Sequence, residues 1–301
     1  MKKLIYYPLL LFMSLLLLYS CAEPNNKNDK STQNEPVDMT RENEVDLSDE
    51  DESIIYLFPS PGEVLERFYN SDMNYTPDLL NPVSNKDKYL TTRAKALNLG
   101  IYLTDFAYLT VFERHQEAID YLEALNTMSK QVNISAGLYE SLVHRTENNL
   151  GNRDSLLSIS RDMFFSILQF LEEGEMHSTI ALVSAGSYIE AMHIALQSVE
   201  EFKENDPILK NISELSYPMQ NLLHKAKSSS NDPHIKSILV YLLEINEVFE
   251  ELESVSEDSD VLKNQDNELS IVGGKEFEMN EENFNKLKAM IAEIRENIIR
   301  K

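Results

Sequence analysis

From Ser53 onward, apolar residues recur at steps of three and four, the spacing of one face of an α-helix. The pattern is most regular in two stretches. The first is Ile235, Ile238, Leu242, Ile245, Phe249 and Leu252; the second is Phe284, Leu287, Ile291, Ile294 and Ile298. Each predicts a narrow seam along which a helix packs beside a neighbour. Neither run reaches four heptads, so packing within the chain is expected rather than a free coiled coil. Helices are expected near 86–112, 115–131, 135–148, 153–172, 176–203, 207–227, 233–254 and 281–299. A further helix begins at Ser60-Pro61-Gly62-Glu63, a capping box with proline at the first helical position, and carries Val64, Leu65 and Phe68 on one face.

Turn chemistry punctuates this pattern. Thr76-Pro77-Asp78 and Asn81-Pro82 signal turns, and Asn205-Asp206-Pro207 and Asn231-Asp232-Pro233 pair a cap with a proline start. Gly174 stands where a helix C-cap belongs, and Pro218 should kink or split the helix at 207–227. Two segments break the helical period. Ile54 to Phe58 is a short apolar run, a strand or a docked segment. Ser256 to Glu268 is acidic and polar and reads as a mobile loop. After it, Leu269 to Met279 fits a small β-hairpin with a Gly273-Gly274-Lys275 loop, which places Ile271 opposite Phe277 and Leu269 opposite Met279. The expected fold class is therefore all-α, a multi-helix bundle of about nine helices with one small hairpin near 269–279.

Within the bundle a faint repeat is visible. Gly100-Ile101-Tyr102-Leu103-Thr104-Asp105-Phe106 is matched 86 residues later by Gly186-Ser187-Tyr188-Ile189-Glu190-Ala191-Met192. The two halves could be stacked helical hairpins. A glycine inside a helix costs about 0.5–1 kcal/mol relative to alanine. Two glycines at matched positions mean either a close helix crossing or two tolerated isolated glycines. If the helices cross there, Tyr102 and Tyr188 flank the crossing. Asp105 then shares a face with Tyr102, while Glu190 turns away from Tyr188. Tyr102, Asp105 and Tyr188 are accordingly the candidates for lining a ligand or partner groove.

The N-terminus follows a different rule. Lys2 and Lys3 precede an apolar run from Leu4 to Leu18, which ends in Leu18-Tyr19-Ser20-Cys21. This resembles a bacterial lipoprotein signal peptide, with a small residue before the lipid-accepting cysteine. The resemblance covers residues 1–21 alone. The run is nearer 15 than the roughly 20 residues of a membrane span, and an Ala-x-Ala site is missing just here. The only cysteine in the chain is the one at this position. The resemblance implies cleavage after residue 20, acylation of Cys21 and anchoring in a bilayer. Ala22 in place of aspartate implies passage to the outer membrane of a two-membrane bacterium, with the periplasmic and cell-surface faces both open.

Residues 22–52 hold few apolar side chains, namely Ala22, Val37, Met39, Val45 and Leu47, and finish in Ser48-Asp49-Glu50-Asp51-Glu52. Such a stretch buries too little surface to offset its ordering entropy and is expected to be a tether. It would span roughly 30 Å as a flexible coil. The expected organisation is a signal peptide at 1–20, a lipidated acidic tether at 21–52 and one helical domain at 53–301.

Composition narrows the function. The 301 residues carry a formal net charge of −24, from 51 acids against 27 bases, which excludes a general nucleic-acid binder. With one cysteine there is no disulfide framework and no cysteine-based zinc site. The eight glycines form no phosphate-binding loop, and no nucleophile elbow is present. Glu190-Ala191-Met192-His193 fits one element of a carboxylate di-iron bundle, but that chemistry needs a second such element and two further inward glutamates. No catalytic residue, metal ligand or cofactor is therefore expected. The first functional expectation is a membrane-anchored, non-catalytic envelope interaction or scaffold module, whose partners are the bilayer and an envelope protein. A small-ligand or glycan-binding lipoprotein is the second, and a cryptic enzyme the third.

Overall fold

The computed structural model describes residues 58–134, 136–256, 260–263, 269–272 and 275–300. The signal segment, Cys21, the tether and the apolar run before Phe58 lie outside the described residues.

The first helix, α1 (Pro61–Tyr69), starts where the sequence places it. Ser60 Oγ accepts from the Glu63 amide, and the Glu63 carboxylate accepts from the Ser60 amide at 2.9 Å. The chain then makes two single-turn 3-10 segments, Pro77–Leu79 and Val83–Asn85, before α2 (Thr92–Val111). Thr91 caps α2 through its side-chain oxygen, so the helix begins six residues later than its apolar pattern suggested. There follow α3 (His115–Gln131), α4 (Ala136–Glu147), α5 (Arg153–Glu173), α6 (His177–Ser198), α7 (Pro207–Glu214), α8 (Ser216–Ser228), α9 (Pro233–Glu250) and α10 (Glu281–Ile299). The expected single helix at 207–227 is split at Leu215. Pro218 has no amide hydrogen to offer the carbonyl of Glu214, which is where α7 stops. Gly174 caps α5 as expected, yet the left-handed residue that turns the chain is Glu175, with φ 55°. Glu113 and Asn133 do the same work after α2 and α3, so in this glycine-poor chain larger residues take the strained positions.

The small hairpin expected within 269–279 does not form. Leu269–Val272 pairs antiparallel with Asp260–Lys263, and Lys275–Glu278 pairs antiparallel with Glu253–Ser256. Ile271 thus lies opposite Val261, and Phe277 opposite Ser254, rather than Ile271 opposite Phe277. Part of the supposed loop, Asp260–Lys263, is extended backbone.

The body is an all-α bundle built around two central helices. α2 and α6 have no dominant polar face, and most residues of both are buried. α6 is the one helix among the described residues long and apolar enough to cross a membrane, and 83% of that apolar window is buried inside the fold. α1, α3 and α5 pack on α2, while α8, α9 and α10 pack on α6. The two central helices cross at the matched glycines. A Cβ on Gly100 would lie 2.0 Å from the Val183 carbonyl oxygen, and one on Gly186 would lie 2.0 Å from the Leu97 carbonyl oxygen. Of the two readings of these glycines, close crossing is the one the structure takes. The seams of α9 and α10 are also as expected, with Ile235, Ile238, Leu242, Ile245, Leu287 and Ile291 fully buried.

Candidate functional site

The three groove candidates separate. Tyr102 and Asp105, three residues apart on α2, point the same way and are both fully buried. Tyr188, on α6, has different neighbours from Tyr102 and Asp105, among them Phe164 and Leu222. Its hydroxyl donates to the carbonyl of Leu215 at 2.8 Å. A surface groove shared by all three is therefore not formed.

What Tyr102 and Asp105 enclose is the turn at Leu80-Asn81-Pro82. Asn81 is fully buried and every polar atom it owns is used. Its amide donates to Asp105 Oδ2 at 3.1 Å, and its Nδ2 donates to the Tyr89 hydroxyl at 2.8 Å and to Asn98 Oδ1 at 3.3 Å. Its Oδ1 accepts from Asn85 Nδ2 at 2.8 Å, and its carbonyl accepts from the Tyr121 hydroxyl at 2.8 Å. The Tyr102 hydroxyl donates to the next carbonyl, that of Pro82, at 2.8 Å. Asn98, one face with Tyr102 and Asp105, also donates to the Ile298 carbonyl at 3.2 Å, so α2 closes the end of α10.

Beside this turn lies the most deeply buried ion pair among the described residues. Arg295 of α10 grips Glu190 of α6 with two hydrogen bonds of 2.8 Å, from Nε and Nη2. Nη2 also donates to the Leu79 carbonyl at 2.7 Å. The side chains are 8% and 0% exposed. One planar guanidinium thus ties α6 to the 77–82 segment. His193 sits one turn beyond Glu190 and is nearly enclosed; its Nδ1 has no hydrogen-bond partner. Burial pushes its pKa down to about 4, against the pull of Glu190. Burial likewise raises the hydroxyls of Tyr89, Tyr102 and Tyr121 above their usual range.

The sequence pointed to Tyr102 and Asp105, and it missed Asn81, Asn98, Tyr89, Tyr121 and Arg295. Glu190 entered it as part of the repeat and, with His193, as a fragment of a metal motif, and not as a partner of Asp105 or Arg295. Among the described residues no group of three or more His, Cys, Asp or Glu side chains is placed to hold a metal ion. A usable signal was present. Asn98, Asp105 and Glu190 are strongly polar residues inside two predominantly apolar helices, where an unpaired polar group would be costly.

On the other face of α6, Tyr188 lines an apolar slot with Phe58, Val64, Phe164, Leu215 and Leu222. The room inside is about 30 Å³. The Ser184 hydroxyl, also on this slot, is buried without a partner. No family model matches the chain, and no curated protein or solved structure shows significant similarity to it.

Proposed function

We propose that the protein is a lipid-anchored, non-catalytic module of the bacterial outer membrane, holding a helical body at the end of an acidic tether to engage an envelope partner. The observation that carries this reading is Leu18-Tyr19-Ser20-Cys21 at the end of the apolar leader, with the chain's only cysteine at the acceptor position. The arrangement of the core supports it. The acids and the histidine that could serve chemistry, Asp105, Glu190 and His193, are enclosed, and both carboxyls are engaged in bonds within the core. Reading the body as two related halves is supported by the reciprocal contacts of Gly100 and Gly186.

A second reading, a small-ligand receptor, draws on the slot at Tyr188 and the unpartnered Ser184 hydroxyl. Its room of about 30 Å³ is far below the several hundred Å³ of ordinary ligand sites, so the interaction reading is preferred.

Replacing Cys21 by serine tests the anchor. Cys21→Ser is expected to move the protein from the membrane to the soluble fraction while leaving its far-UV helical signal unchanged, because the acyl groups supply the anchor. Retention of Cys21→Ser in the membrane fraction would refute the anchor. Crosslinking the native protein in membranes, followed by co-purification, then identifies the partner.

A further inference from the structure

The charge count where α2, α6 and α10 meet does not close without a proton. Among the described residues Arg295 is the one cation facing Asp105 and Glu190, and its bonds go to both oxygens of Glu190 and to the Leu79 carbonyl. Asp105 Oδ2 accepts from the Asn81 amide, whereas Oδ1 has no donor. Asp105 and Glu190 serve the same turn: Asp105 accepts from the Asn81 amide, and Arg295, which holds Glu190, donates to the Leu79 carbonyl two residues before it. An ionised carboxylate only accepts, and enclosed it needs a counter-charge or a full set of donors, whereas Asp105 has one amide donor and an empty second oxygen. Both side chains are 0% exposed. With two acids and one guanidinium in that dry setting, the doubly ionised state would bury a net negative charge.

We propose that docking α10 onto α2 and α6 takes up one proton, held on Asp105, and that this junction is a pH-operated latch on the C-terminal helix. When the proton leaves, the 79–82 turn and α10 loosen together, since Asp105 holds the first through Asn81 and Glu190 holds the second through Arg295.

The other titratable groups facing the junction do not share this role. They are Tyr89 before α2, Tyr102 on α2, Tyr121 on α3, His193 on α6 and Glu296 on α10. The three tyrosines lose their protons only above their ordinary range, and His193 gains one only near pH 4. Glu296 is half-buried and paired with Arg300. Burial first, and then the charge of Glu190, hold the Asp105 carboxyl well above the usual carboxylate range, opposed in part by Arg295. The sign follows from linkage. A carboxyl whose folded value is raised contributes stability that is fully present below its unfolded value near 4 and is lost as pH rises through the folded value. The latch is therefore closed in acid and opens toward alkaline pH, and it does not depend on the lipid anchor.

The full chain in detergent micelles tests this directly. Its infrared spectrum at neutral pH should contain the carbonyl band of a protonated carboxyl, and Asp105→Asn should lack it. The asparagine oxygen can still accept from the Asn81 amide. Hydrogen exchange of the α10 amides, corrected for the intrinsic pH dependence, should lose protection by up to about tenfold per pH unit once the proton begins to leave. In Asp105→Asn that loss should be absent. Should Asp105→Asn fail to fold, Glu190→Gln takes its place, since removing the Glu190 charge leaves Arg295 to balance an ionised Asp105 and the band should again vanish. The proposal is overturned by a native spectrum without the band, by a band that survives both substitutions, or by α10 protection that stays constant from mildly acidic to alkaline pH.

Discussion

Ser187 donates its hydroxyl to the carbonyl of Gly100 at 3.0 Å, across the point where α2 and α6 cross. Thr104 returns a bond from α2, its hydroxyl reaching the Ser187 carbonyl at 3.3 Å as well as its own helix at Gly100. Side-chain bonds to carbonyls already used in a helix require the backbones to lie almost in contact. The absence of a Cβ at Gly100 and Gly186 is what allows that approach.

Gly100→Ala should therefore destabilise the protein by about 1–3 kcal/mol through overpacking, even though alanine is the better helix former. The obstructing atoms are backbone, the Val183 carbonyl and the Ser187 amide, and cannot rotate aside. Gly151→Ala is the control, because a Cβ there meets nothing within 4 Å. Urea denaturation of the two variants should separate them; equal midpoints would contradict the close crossing.

Arg295→Ala should cost about 3–5 kcal/mol, the range for stranding one partner of a buried ion pair. It leaves Glu190 enclosed without its counter-charge and the Leu79 carbonyl without its donor. The double variant Glu190→Leu with Arg295→Met should recover much of the loss, because removing both charges also removes their desolvation cost. Equilibrium unfolding of the single and double variants measures the difference. A double variant no more stable than Arg295→Ala would show that geometry rather than charge sets the cost.

His193 works in the opposite pH direction from Asp105. It is buried neutral, and its pKa falls from the ordinary 6.5 to about 4. Its contribution is present above the unfolded value of 6.5 and is lost as pH falls toward 4, amounting to up to about 3 kcal/mol. His193→Gln should flatten the stability profile within that window and leave it unchanged above. Melting temperatures of the native chain and the variant across the acid range provide the comparison.

Much of the bundle was legible in the sequence because its signals are local. The capping box at Ser60, the proline starts at Pro207 and Pro233, and the seam from Phe284 to Ile298 each depend on neighbours within a few turns. The glycine match was legible as a question, and its answer needed the partner helix. The hairpin was misread because Ile271 and Phe277 satisfy an alternation rule equally well with nearby or more distant partners. The polar junction was half visible. Tyr102 and Asp105 share a helical face by spacing alone. Nothing local marks Asn81 as the hub, or tells that Arg295, beside the seam residue Ile294, turns inward to Glu190.

The placement of Arg295 makes the fold proofread its own completion. Its counter-charge, Glu190, lies in a helix laid down long before α10, and the α2–α6 pair that forms the centre already joins segments far apart in sequence. Loop closure over such distances is slow, and here its last electrostatic reward arrives with the final helix. A chain stopped before α10 would leave Glu190, the Leu79 carbonyl and an Asn98 amide hydrogen without their partners at the heart of the molecule. Such a fragment should stay open to chaperones and proteases. A finished chain, by contrast, locks its centre in the same step that docks its last helix.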